Sequence, residues 1–469
     1  MLQQVLGILA STLVGFSLVS ACWKNLRSCP YSFWISLWLA IGLGLGFTSL
    51  HCFFLLLTLG PQQHLLPILD VLIVLLASWL LMKRGRPGPL RFSSAGPDAH
   101  VRAGKTPIVL LLVFGVFVIA SLSSFIMGTI REPYGQWDAW AVWTQHAKFL
   151  FRGGVYGKIF LSASILGWYQ ADYPLLLPVS IARLWSYAGQ ESIITPPIVA
   201  FLFTYSTLGL LVASLAALRG PTHGLIGGLI LLCSPTFTYL GQIQYADTPL
   251  GYFYLAALVL FSFGDSAGKE AYGLTILAGI AAGFAAWTKN EGFLFLVALI
   301  GARTVSFLVY NAGKIKVEFV KEFFGLALGL LPAMLASLYF KFALAPQNDI
   351  IMGQSLHATI GRLLDPTRYL LTARAILSSA FNIDNPLALP LVFAIIIGVD
   401  CYRCRTLNWI STFIVFILMF WGHFFIYIIT PHDLKWQLST SLDRIILQLW
   451  PGMIFATMLI IKDPIFIRS

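Results

Sequence analysis

Apolar runs of bilayer length recur along this chain, separated by short polar intervals. They lie near residues 4–23, 33–58, 66–82, 107–130, 194–218, 224–240, 249–264, 273–287, 292–310 and 322–344, with further runs near 386–400, 408–429 and 446–462. A helix needs about 20 such residues to cross the hydrocarbon core. The pattern therefore predicts an all-α polytopic membrane protein with about 10 to 13 transmembrane helices.

Two stretches break this rhythm. After the run ending near 130 comes REPYGQWDAWAVWTQHAKFLFRGG, which predicts an amphipathic helix from Trp137. At helical spacing Asp138, Gln145, Lys148 and Arg152 form a polar stripe, while Trp140, Trp143, Ala147, Leu150 and Phe151 face away. Tryptophan favours the headgroup level, so this helix is expected in the membrane interface with Asp138 near a membrane-borne substrate. The same spacing also fits a surface anchor whose Asp is a helix N-terminal residue. Residues 174–188 are apolar but too few to span comfortably, and they include Pro178 and Arg183. We read them as a juxtamembrane or re-entrant helix within one long external loop, 131–193.

Composition agrees with the pattern. Of 469 residues, 58% are hydrophobic and 10% charged, against about 25% charged in soluble domains; mean hydropathy is +0.82. The formal net charge of +11 is spread over short loops, which points to membrane topology and away from nucleic acid. The densest basic loop, 83–105, carries Lys83, Arg84, Arg86, Arg91, Arg102 and Lys105 and is expected on the cytoplasmic side, as is the loop holding Lys24 and Arg27. Lys314, Lys316, Lys321, Arg403, Arg405, Lys462 and Arg468 then follow on that side. Alternation puts 131–193, Gln244–Pro249, Trp287–Gly292, 345–385 and 430–445 together on the other face. The start, MLQQVLGILA, lacks the basic region of a signal peptide and reads as a retained span. Cys401 and Cys404 form a C-x-x-C without a second pair or a nearby histidine, so no metal site is expected.

Five polar constellations interrupt the apolar pattern on the outer face. Asp138 is the first. Asp172 and Tyr173 precede a proline in QADYPLLLP, and Asp247 begins a span in GQIQYADTPLGYF. Both Asp residues also fit as turn or cap residues. Lys289, Asn290 and Glu291 sit between two apolar runs in AAWTKNEGF, where charges are costly and pair together or line a cavity. The fifth, TPHDLKWQLSTSLDR, brings Lys435 and Arg444 to an external position that a phosphate ligand would explain. His357, Arg362, Arg368 and Arg374 in 345–385 face either an acceptor or lipid headgroups. No P-loop, dinucleotide-binding glycine motif or H-E-x-x-H is present.

Taken in order, an acidic residue after an early span, Asp-Tyr-Pro, Tyr-Ala-Asp-x-Pro, Trp-Thr-Lys-Asn-Glu-Gly and a basic C-terminal loop resemble the GT-C superfamily of integral-membrane glycosyltransferases. The closest groups are those like the lipid A aminoarabinose transferase and the protein O-mannosyltransferases. The resemblance covers roughly residues 107–460 and implies a catalytic region over 107–469, preceded by N-terminal spans and a basic linker over 1–106. It implies inverting transfer from a polyprenyl-phosphate-linked sugar donor to a lipid, glycan or protein acceptor. The setting it implies is a bacterial inner or plasma membrane, with the active site on the non-cytoplasmic face. Asp138 and Asp247 resemble the catalytic acidic residues and Lys289 the cation of the Thr-Lys turn. Asp172, Tyr173, Asn290, Glu291, Lys435 and Arg444 are candidate substrate-binding residues. Two features depart from the pattern: Ala139 follows Asp138 where many relatives have a second acid, and extra spans precede the loop. The chemistry needs one carboxylate as base and cations for a phosphate leaving group, and no cofactor or metal. A flippase of lipid-linked saccharides and a surface-polysaccharide polymerase or ligase are the competing expectations.

Overall fold

The apolar runs fold into helices. In the computed structural model the described residues are 2–23, 29–61, 65–83, 107–153, 170–267, 271–310, 317–348, 350, 354–380 and 388–463. Apart from Lys83, the basic loop 83–105 lies outside them, as do Lys24, Arg27, Lys314, Lys316 and Arg468 and part of the loop 131–193.

Helices α1 (Leu2–Cys22), α2 (Ser32–Leu59), α3 (Leu65–Lys83) and α4 (Ile108–Arg131) come first, followed by α5 (Thr144–Gly153) and α6 (Leu176–Ala188). Next come α7 (Thr195–Arg219), α8 (Pro221–Leu232), α9 (Pro235–Gln242), α10 (Asp247–Ala267), α11 (Ala271–Thr288), α12 (Glu291–Tyr310) and α13 (Val317–Tyr339). The chain ends with α14 (Leu356–Leu363), α15 (Pro366–Ala380), α16 (Ala388–Ile397), α17 (Leu407–Ile429) and α18 (Leu434–Ile460). Among the described residues eight helices are long and apolar enough to cross a membrane, namely α1, α2, α4, α7, α12, α13, α17 and α18, and the bent pair α8–α9 would make a ninth. The apolar parts of α3 and α11 are shorter. Helix α10 runs through the centre with nearly every residue buried, packed against α7, α11 and α18.

Several expected boundaries move. The run 224–240 is not one helix: it bends by 67° between α8 and α9. Pro235 lacks an N–H to bond back to the preceding turn and instead opens the next helix. The expected loop 430–445 is mostly helix. Asp433 caps α18 by accepting from the Trp436 N–H at 2.8 Å, so three turns of helix precede the apolar run. The segment 345–385 contains α14 and α15. There Arg362 donates to the Ile429 carbonyl, and Arg368 to those of Tyr427 and Thr430. These two cations cap the C-terminal end of α17, whose last carbonyls have no partner within the helix. Run 386–400 gives only the ten residues of α16.

Helix α6 is 13 residues long and buried on almost every face, against α1, α2 and α5. Its Arg183 is 1% exposed. Asp70 of α3 accepts from it at 2.6 Å and 3.0 Å, and accepts also from Tyr187 at 2.8 Å. A second arginine amino group reaches the Gly7 carbonyl and Ser11 Oγ of α1. His51, an intramembrane histidine whose type is more often packed or hydrogen-bonded than a ligand, lies 2.9 Å from Asp70 through Nδ1. A lone acid inside one apolar run and a lone arginine in another thus fasten α6 to the N-terminal helices.

Candidate functional site

The helix carrying Asp138 begins at Trp137 and passes through a π-helical turn, Ala139–Trp143, before α5. That turn changes the register. Trp143, Ala147 and Leu150 are buried as the spacing predicts, but Trp140 is not grouped with them and is 43% exposed. A π-turn holds more residues than an α-turn, so an angular projection at 100° per residue fails across it. Trp143 stacks on Tyr173, with ring centroids 5.5 Å apart. Asp138 makes no side-chain capping bond to its own helix; its carboxylate is used elsewhere.

The partner is Arg444. Its Nη2 lies 2.5 Å from Asp138 Oδ2 and 3.0 Å from Asp247 Oδ2, while Nε donates to the same Asp247 oxygen at 3.1 Å. The guanidinium rests over the Tyr245 ring, 4.5 Å from its centroid. Asp247, the first residue of α10, is fully buried. Its other oxygen accepts from Lys289 Nζ at 3.0 Å and from Gln448 Nε2 at 2.6 Å. Lys289 also pairs with Glu291 at 2.8 Å. Burial alone would lower the Lys289 pKa; Asp247 and Glu291 overcome this and hold it above the usual lysine value. The Tyr245 phenol is pushed up to about 12 by burial and by Asp138 beside it, so it remains a neutral donor.

Local chain geometry makes this convergence possible. The turn between α11 and α12 is closed by Gly292 N–H bonding to the Lys289 carbonyl at 3.0 Å. A Cβ on Gly292 would lie 2.0 Å from the Ala285 oxygen, so only glycine lets the two helices approach this closely. Gln244, just before Asp247, has φ of 65°. Its side-chain amide bonds the Pro133 carbonyl at 3.1 Å, tying the Asp247 turn to the start of the Asp138 segment.

A second polar cluster adjoins the first through Asn290 and Glu291. Asp172 Oδ2 accepts from Asn290 at 2.7 Å, Asn348 at 2.8 Å and Lys341 at 3.2 Å. Lys341 also donates to the Asp172 carbonyl. Tyr173 lies between Trp143 and Lys289, whose Nζ is 5.7 Å from its ring centroid. Asp172 and Asp247 thus accept from side chains far away in sequence. The structure brings together Asp138, Asp172, Tyr173, Asp247, Lys289, Asn290, Glu291 and Arg444. It does not bring in Lys435, which is exposed nine residues before Arg444 on α18, about 13 Å along the helix. Tyr245, Lys341, Asn348 and Gln448 were missed. Gln448 had a signal, a polar residue in an apolar run four positions after Arg444.

Residues 178–340 match the model of a family described as dolichyl-phosphate-mannose-protein mannosyltransferase. That match supports a membrane glycosyltransferase of the GT-C type. Asp247, Lys289 and Glu291 fall inside the matched stretch; Asp138, Asp172 and Arg444 lie outside it. No curated protein and no solved structure matches the chain.

Proposed function

We propose that this glycosyltransferase moves a sugar from a polyprenyl-phosphate-linked donor to a hydroxyl-bearing acceptor, with inversion, on the non-cytoplasmic face of its membrane. The observation that carries the reading is the convergence of Asp138, Asp247, Lys289 and Arg444, from four separated stretches, into one cluster. The matched family's description, a transferase using a lipid phosphate-linked sugar, supports the donor class.

The charges suggest an order of events. Three carboxylates, Asp138, Asp247 and Glu291, face two cations, Lys289 and Arg444. With one negative charge in excess, the cluster does not attract a phosphodiester by net charge. The donor phosphate instead replaces a carboxylate already on a cation. Asp138 is the replaceable one, since it holds Arg444 through a single contact and is partly exposed, whereas Asp247 is fully buried and has three partners. When the phosphate takes Arg444, Asp138 is released as a free carboxylate next to the anomeric carbon. The acceptor hydroxyl then attacks that carbon while its proton passes to Asp138. The bond to the phosphate oxygen breaks on the opposite side, and the polyprenyl phosphate leaves as an anion steadied by Arg444 and Lys289. Asp247 holds both cations in place throughout.

The test is incubation of the purified protein with a panel of polyprenyl-phosphate sugars and candidate acceptors, following free polyprenyl phosphate and the anomeric configuration of the product. Acceptor-dependent release with inversion supports the reading. Transport of an intact lipid-linked saccharide without any release would overturn it.

A further inference from the structure

An open cleft of about 620 Å³ lies beside the Asp138 helix, lined by Arg131, Glu132, Tyr134, Gln136, Trp140 and Lys148 among others. Its volume is in the range of sites for small polar ligands, roughly 300–1,000 Å³. Nothing in the proposed donor chemistry uses it.

The cleft differs in character from the acidic cluster behind it. Arg131 and Lys148 supply two cations. The one carboxylate, Glu132, accepts from Gln136 Nε2 at 2.6 Å. Tyr134 is 59% exposed and Trp140 43% exposed. Aromatic faces beside planar amide and carboxylate groups suit a sugar ring, which offers C–H faces and in-plane hydroxyls. Two cations beyond them suit a phosphate. The cleft is also fixed in place relative to the acids. Gly135 has φ of 68°, and a Cβ there would lie 2.5 Å from the Ile243 oxygen. The Gln136 N–H bonds that same carbonyl at 3.4 Å. The floor of the cleft is thereby joined to the stretch that leads into Asp247, and Asp138 lies in sequence between two lining residues, Gln136 and Trp140.

We propose that this cleft is the acceptor subsite and that it takes a saccharide carrying a phosphate. The register change at the π-turn explains the division of labour. Trp140 lines the cleft while Asp138, outside that lining, pairs with Arg444, so the acceptor's ring and phosphate occupy the cleft and its reacting hydroxyl extends beyond it towards the carboxylate. This assignment rests on the transferase reading, but its test does not need turnover.

Binding of glucose 1-phosphate, glucose and inorganic phosphate to the full-length protein in detergent is measured directly, alongside binding of a polyprenyl-phosphate sugar. Glucose 1-phosphate should bind more tightly than either fragment. The double variant Arg131→Gln/Lys148→Gln should weaken it roughly tenfold or more, as expected for loss of charge-assisted hydrogen bonds, and Trp140→Ala should weaken both sugars. Affinity for the polyprenyl-phosphate sugar should stay within about twofold of wild type, the two sites being separate. Equal affinity of wild type and double variant for glucose 1-phosphate, or none in wild type, overturns the proposal. A fifth arm uses nanodiscs of phosphatidylglycerol or phosphatidylcholine. Competition by phosphatidylglycerol through Arg131 and Lys148 makes the cleft a headgroup anchor and overturns the acceptor assignment. Absence of turnover in wild type with normal glucose 1-phosphate binding would sink the transferase reading and with it the acceptor role, and leave the cleft only as a saccharide-phosphate site.

Discussion

Two groups of buried charge hold this protein together, and they are built on opposite plans. Around Asp70 the ion pair is closed: one carboxylate meets Arg183, Tyr187 and His51, and Asp70 and Arg183 are each 1% exposed, with the His51 ring reaching 18%. Around Asp247 the cluster is open on one side. Asp138, Glu291 and Arg444 keep 13%, 18% and 18% exposure, and carboxylates outnumber cations. A closed pair has no partner to exchange and serves to fasten helices. A cluster with an unmatched carboxylate at its open edge can exchange one anion for another, which a phosphate-linked substrate requires.

The comparison is sharpest at the open edge. Asp138→Asn keeps the shape of the side chain but cannot accept a proton, so turnover should fall by a factor of about 10²–10⁴. Thermal stability should hardly change, because the position is partly exposed and Arg444 keeps its contacts with Asp247. Turnover within a few-fold of wild type would leave Asp138 as an anchor and move the base to Asp172 or Asp247.

The closed pair should behave in reverse. Asp70→Asn or Arg183→Met leaves one buried charge without its partner, and should cost about 3–5 kcal/mol of stability. The molecules that remain folded should turn over normally. Replacing both, as Asp70→Leu with Arg183→Met, should recover much of the loss, since a well-packed apolar pair does not leave a charge behind. Melting of the three variants in detergent, with turnover per folded molecule, checks this. Lost turnover at full stability would show that the closed plan has a chemical role after all.

The cations come next in size. Lys289→Gln should weaken binding of a polyprenyl-phosphate sugar by roughly 10- to 150-fold, the worth of a charge-assisted hydrogen bond of about 1.5–3 kcal/mol. Lys435→Gln, on the same helix as Arg444 but outside the cluster, should change it by less than about twofold. If the two variants bind alike, the cluster has no privileged claim on the phosphate.

These contrasts also show what the sequence could and could not convey. Asp138, Asp247, Lys289, Glu291 and Arg444 were visible because each charge interrupts or borders an apolar run, where a charge needs a reason. Their pairing was not visible: Asp138 and Arg444 are 306 positions apart, and nothing local to either names the other. Asp70 was passed over although it is a single acid within the run 66–82, and Arg183 was read only as an obstacle to spanning. Each is costly alone and unremarkable once paired, and the pairing belongs to tertiary structure. Trp140 was misplaced because the π-turn breaks the angular period on which the helix projection depends. The helical start of α18 was lost because its first three turns are polar on the exposed side. Hydropathy alone cannot tell such a stretch from a loop.

Gln448 stands between the two plans and gives the finest test of the distinction. It is completely buried, as the closed pairs are, yet its Nε2 donates at 2.6 Å to the acid that holds the open cluster. Lys289 and Arg444 still hold Asp247 if this bond is removed, so Gln448→Met should lower the maximal rate by only a few-fold to about tenfold, in keeping with one hydrogen bond of about 0.5–1.5 kcal/mol. The donor KM should stay near wild type, because the phosphate contacts are untouched and only the aim of Asp247 on its two cations changes. Gln448→Glu should be worse than Gln448→Met, since it adds a carboxylate beside Asp247 in a cluster already rich in negative charge. If Gln448→Met instead melts as early as Asp70→Asn while its folded molecules keep the wild-type rate, then Gln448 is a fastening residue. The open cluster would then end at Asp247.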